Sequence, residues 1–382
     1  MTLILGEAQL DRAIALGARG PSSEAAAERH AASLDAVQTL LEANRLLREQ
    51  DAHPSHHQAV LRAGEASILH FRYEQSLAVD DDADRVQRRS RIYFLNYFLQ
   101  TARKALRKAL TEHWDPDDPE NIADTARETA ARQHEILAEI DLTTSRVAGA
   151  SSQRAPLHRA IDHLETSVSL TDDGETADRC RRRLLLNEAR VGLARQQELG
   201  AMAAIAAEAL NALVAETRRG RSNEAGDAIL AEVILAEAGA VLAVGQLDAN
   251  LTSLRHGVDL IATALAEATG LELKEADARS GSEEDGHDSI GRLSYAWRWT
   301  RIRPTDADGA ETETRAGELA LRHAEYRDLP KNAPFVTRIQ MITDILRGSH
   351  KLLDACGEGR LAGRLLNILD DMRTGRAGHG AI

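Results

Sequence analysis

Three short motifs, Leu137-Ala-Glu-Ile140, Leu186-Asn-Glu-Ala189 and Leu235-Ala-Glu-Ala238, recur at a spacing of 49 residues. A second apolar pair follows each: Ile161 and Leu164, then Leu210 and Leu213 in step, then Leu260 and Leu265 roughly so. Two apolar-periodic segments per unit, parted by a breaker, describe a helix, a short turn and an antiparallel partner. The turns fall at Gly149-Ala-Ser-Ser152, Leu199-Gly200 and Gly245 to Asn250. Polar links at Thr171-Asp-Asp-Gly174 and Arg219-Gly-Arg-Ser-Asn223 separate the units. One such hairpin leaves its apolar face in water, whereas stacked neighbours cover it. The period therefore predicts an all-α chain of tandem antiparallel helix pairs.

Composition agrees. Aromatic residues make up 3% of the chain and there are only 8 prolines. Strands draw on β-branched and aromatic side chains, while Ala and Leu favour helix. Hydrophobic residues at 43% supply a sizeable core and exclude global disorder. The formal net charge of -13 argues against a surface devoted to nucleic acid or anionic membrane. The two cysteines, Cys180 and Cys356, form neither a disulfide framework nor a thiolate metal centre. No run approaches the ~18 apolar residues of a membrane span. Met1 to Glu7 lacks the basic start of a signal peptide. The expectation is a cytoplasmic protein with no membrane association.

The chain divides into four parts. Residues 1–122 form an N-terminal helical region, with helices over 7–17, 24–50, 57–78 and about 80–110. Residues 123–270 hold the three hairpins. Residues 271–290, with Ser280-Gly-Ser-Glu-Glu-Asp-Gly286, read as an acidic linker. Residues 291–382 form a C-terminal helical region. It contains a helix near 293–297, another near 311–328, and a final pair over 334–355 and 359–373.

The runs Leu184-Leu-Leu-Asn-Glu-Ala189, Leu210-Asn-Ala-Leu213 and Leu230-Ala-Glu-Val-Ile-Leu-Ala-Glu-Ala238 resemble the tetratricopeptide superfamily. They look most like the degenerate, lengthened repeats common in bacterial regulatory and defence-associated proteins. The unit departs from the family's repeat of about 34 residues, and its usual Trp, Gly, Tyr and Pro positions are not recognisable. The resemblance implies a right-handed superhelix, an α-solenoid, that binds peptides or partner proteins without catalysis and without a cofactor. In such arrays the first helix of each pair lines a concave groove. Arg183, Asn187 and Arg190 share one face of that helix at i, i+4 and i+7. Arginines fork onto carboxylates and asparagine bonds peptide backbone, so an acidic or C-terminal peptide is the expected partner.

Other constellations are weaker. Residues 85–108 hold Arg85, Arg88, Arg89, Arg91, Arg103, Lys104, Arg107 and Lys108 without an acid, around Tyr93, Phe94, Tyr97 and Phe98. Arg88, Arg89, Arg103 and Arg107 form a secondary basic patch that could hold phosphates. A helix with a buried centre and paired ends explains it better, and nucleic acid is the lesser expectation. Asp80, Asp81 and Asp84 match a diphosphate-binding pattern, but helix-start aspartates complement the helix dipole. His53, His56 and His57 beside Asp51 carry metal-ligating groups, yet read as a polar turn. Cys180 between Arg179 and Arg181 reads as an ordinary helix cysteine. All-helical HEPN ribonucleases carry Arg, then four to six residues, then His. Arg48 and His53, Arg107 and His113, Arg127 and His134, and Arg373 and His379 fit that spacing. With 14 histidines in an arginine-rich chain, about 4 to 5 such pairs arise by chance. A ribonuclease is thus the alternative to the scaffold.

Overall fold

A computed structural model describes residues 1–17, 23–49, 55–77, 85–112, 124–147, 154–171, 177–219, 224–269, 273–274, 298–299 and 334–355, together with 359, 362–363 and 366. Among these residues the chain is helical apart from one two-residue strand pair. It forms two compact units that divide after Gln196.

The first unit contains α1 (Thr2–Gly17), α2 (Ser23–Arg48), α3 (His56–Leu77), α4 (Arg85–Leu110), α5 (Asp124–Val147), α6 (Arg154–Ser169) and nearly all of α7 (Ala177–Gln197). Each of α1 to α4 packs on the next, α5 packs on α6, and both α3 and α4 lie against α5. The main core joins Val60 and Phe71 of α3, Leu99 and Leu106 of α4, and Ile136, Leu137 and Ile140 of α5. A second core joins Leu10, Ala36, Val37, Leu40, Ala63 and Ala66 of α1 to α3. The alanines matter here. Helices with small residues at the contact approach closely, and interaxial distance follows the side chains between them.

The second unit contains α8 (Gly200–Arg219), α9 (Glu224–Leu247), α10 (Leu251–Thr269) and α11 (Pro334–Ala355). Helix α9 is its centre, with α8, α10 and α11 packed around it. That explains its composition: Val233, Ile234, Leu235, Ala236, Ala238, Ala240 and Leu242 are all buried, a helix apolar nearly all round. The turn into α10 is chemically specified. Ala249 takes a φ of 49°, and the Asn250 N–H donates back to the Gly245 carbonyl at 2.9 Å. This is the Schellman pattern, which satisfies a carbonyl the helix leaves open. Asn250 then caps α10, its Oδ1 accepting from the N–H groups of Thr252 at 3.0 Å and Ser253 at 3.2 Å. Two glycines permit the close α9–α10 approach. A Cβ on Gly245 would lie 2.7 Å from Leu254, and one on Gly257 would lie 2.5 Å from Leu242. The two leucines thus seat on glycines of the opposite helix.

Strands β1 (Leu273–Lys274) and β2 (Arg298–Trp299) pair antiparallel, Leu273 opposite Trp299. The rest of the expected linker, and the helices expected at 293–297 and 311–328, lie outside the described residues, as do Asp80 to Asp84. The segments expected to form the three pairs are the helices α5 and α6, α7 and α8, and α9 and α10; α5 packs on α6 and α9 on α10, while α8 lies against α9. Leu137, Leu186 and Leu235 are all buried in the first helix of their pair. No described helix is long and apolar enough to cross a membrane.

Candidate functional site

Helix α5 carries an unusual load. Gln133, His134, Glu135, Glu139, Asp141, Thr143 and Ser145 are all buried on it. Ionised groups almost never enter an interior unless paired. At 3.6 residues per turn, positions 128, 132, 135 and 139 form one stripe and positions 127, 134 and 141 another. Each stripe meets its own set of partners.

The first stripe is an ion-pair chain reaching α3 and α7. Arg132 bonds Glu135 at 2.6 Å and Glu65 of α3 at 2.8 Å. Glu65 also takes Arg62 at 2.8 Å. From α7, Arg181 reaches Glu135 at 3.3 Å and Glu139 at 3.1 Å. Arg182 is 0% exposed. It donates to Glu128 at 2.6 Å, to Glu135 at 3.2 Å and to the Thr171 hydroxyl at 2.7 Å. Burial works against its charge, but Glu128 and Glu135 outweigh burial and hold its pKa above the usual arginine value.

The second stripe meets α4 and α6. Asp141 is 0% exposed and accepts from Arg103 of α4 and from Arg159 of α6, the latter at 2.7 Å. Two turns back along α5, the Nδ1 atoms of His134 and His163 stand 3.0 Å apart. Two ring nitrogens at that distance share one proton, so the two rings cannot both be charged. Burial and the neighbouring His163 push the His134 pKa down to about 3. Burial likewise lowers His163, with Asp141 opposing and Arg107 and Arg103 reinforcing the shift.

These placements locate the residues singled out by sequence. Arg103, expected in a basic surface patch, is turned inward and joined to Asp141; a carboxylate on a neighbouring helix draws it there. Arg107 is exposed, and the side chains of Arg88 and Arg89 lie outside the described residues. Asn187, expected to face a peptide, is buried, its amide donating to the Arg183 carbonyl one turn back at 2.9 Å. Arg190 is paired to Glu165 of α6 at 2.9 Å. Arg183 is half-buried on the same face. Of the Arg–His pairs, Arg127 and His134 share α5, but His134 is buried against His163. The histidines of the other three pairs lie outside the described residues. Cys180 is half-buried on α7.

Two further groupings are assembled only by folding. Ser33 and His70 are buried on adjacent helices with the Ser33 hydroxyl 2.9 Å from His70 Nδ1. The hydroxyl donates its proton to the His30 carbonyl at 2.9 Å. The ring must therefore be the donor to serine, the reverse of a nucleophile facing its base. The other grouping is His56 and His57 at the start of α3 with Glu112 just beyond α4. Their potential ligand atoms all lie within 4.8 Å of one another. Asp51 and His53 lie outside the described residues. Glu112 pairs with the two histidines only through folding, across the whole length of the α3–α4 hairpin.

No protein-family model and no curated protein matches the chain. Among solved structures, a circular tandem repeat protein with novel repeat topology and enhanced subunit contact surfaces aligns with it at TM-score 0.30 and 11% identity, over 97% of this chain and 71% of that one. At that score the likeness carries no argument about fold or function.

Proposed function

We propose that the chain is a non-catalytic scaffold of tandem helix pairs, wound as a tetratricopeptide-like right-handed superhelix, that holds another protein. The observation behind this reading is the interior of α5. The titratable groups it brings together are bonded from helix to helix. A ribonuclease would instead need an accessible histidine as acid or base with a pKa near working pH. His134, the one described histidine in the Arg–His spacing, is buried and held neutral.

The groove proposal narrows to two arginines. Arg183 and Arg190 would receive an acidic or C-terminal peptide, while Asn187 fixes their helix turn from behind. Glu165 already occupies Arg190, so a partner carboxylate must displace it. A charge-assisted hydrogen bond is worth roughly 1.5–3 kcal/mol when partly desolvated, against about 0–1 kcal/mol for an exposed pair such as this one. With the partner recovered by co-purification from the native host, Arg183→Glu with Arg190→Glu removes binding and barely changes the melting temperature. Glu165→Gln releases Arg190 and strengthens binding. Unchanged affinity in both variants contradicts the groove.

A further inference from the structure

The open end of the α3–α4 hairpin holds a constellation that the scaffold reading does not use. His56 is buried, and its Nδ1 lies 3.4 Å from Glu112 Oε2. That is the edge of a tetrahedron whose corners lie ~2.1 Å from its centre, the bond length of nitrogen and carboxylate ligands on zinc. The His57 ring is 5.7 Å from that of His56, centre to centre, and all three ligand atoms fit within 4.8 Å. Behind His57 stands Gln133 of α5, 0% exposed, its side-chain amide 3.5 Å from His57 Nδ1. Gln133 Oε1 is buried and has no hydrogen-bond partner among the described residues. Turning that amide over lets Oε1 accept the Nδ1–H of His57. This is how ligating histidines are commonly oriented, and it leaves the other ring nitrogen with its lone pair.

We propose that His56, His57 and Glu112 form a divalent transition-metal site, with Zn²⁺ as the fitting ion and Gln133 as the positioning residue behind it. Two imidazoles and one carboxylate suit zinc and its neighbours better than magnesium or calcium, which take oxygen ligands. Glu112 is 39% exposed, so water completes the coordination from the solvent side. The ion would clip the start of α3 to the end of α4. A ligand bound only by the folded form raises its stability in proportion to the logarithm of its concentration.

The test is calorimetric titration of ZnCl₂ into the full, metal-stripped chain, with CoCl₂ absorption as a geometric readout. One equivalent of Zn²⁺ binds and raises the melting temperature. Glu112→Gln and His57→Gln each weaken that binding by about tenfold or more. His158→Gln, on exposed α6 surface and not among the three grouped residues, leaves it unchanged. Absence of stoichiometric binding overturns the assignment. So does binding that survives either substitution at the site in a folded protein. If His57→Gln loses its helical circular dichroism, Glu112→Gln decides alone, since it alters an exposed carboxylate beyond the helix. Full affinity in that variant overturns the site, and tenfold loss supports it.

Discussion

Asp141 shows how much one residue holds. It is a fully buried carboxylate joined to arginines from two other helices. Asp141→Ala strands Arg103 in the interior and should cost about 3–5 kcal/mol, the range for breaking one side of a buried pair. Replacing both members, Asp141→Leu with Arg103→Met, should recover most of that loss, because two well-packed apolar groups need no counter-charge. Denaturant unfolding of the single and double variants measures both. His134 makes a different claim. Its pKa falls from an ordinary 6.5 to about 3 in the folded chain. Between those values the unfolded chain binds a proton that the folded one refuses, so stability drops as pH falls through this window. The slope is about 1.4 kcal/mol per pH unit for one such group. His163, Arg103, Arg107, Asp141 and Asp162 surround the pair and add their own titration or field. His134→Asn should flatten the acid limb of a plot of unfolding free energy against pH. An unchanged limb contradicts a neutral buried histidine.

At the scale of the element, the apolar period made the helices readable and left the destinations of charges hidden. Leucines at three- and four-residue spacing announce a face whatever lies opposite it. The turns at Leu199-Gly200 and Gly245 to Asn250 were equally plain, because their chemistry is local. Arg103 was not. An arginine on a helix reads the same in sequence whether it meets water or a carboxylate 38 positions away. Glu112 was hidden for the same reason: only folding brings it to His56. Equivalence of the pairs is testable here. Leu137→Ala, Leu186→Ala and Leu235→Ala each remove a buried leucine, from α5, α7 and α9. Each should cost about 2–5 kcal/mol in its own unit's unfolding transition. A value near zero at any one site contradicts equivalence. Asn250→Ala should cost about 0.5–2 kcal/mol by removing the α10 cap.

At the scale of the whole molecule, the described helices form two compact units. The first unit buries charged groups of α5 beside its apolar cores, and they bond to partners on neighbouring helices. The second is held by an apolar helix and by leucines seated on glycines. The class of function therefore turns on whether any of the chain's histidines does work on a substrate. The most direct measurement is incubation of the purified full-length protein with single-stranded and structured RNA, with and without divalent metal, followed by gel analysis. The account predicts intact RNA under every condition, in the parent chain and in His53→Ala and His134→Ala alike. RNA cleavage that either substitution abolishes would contradict it.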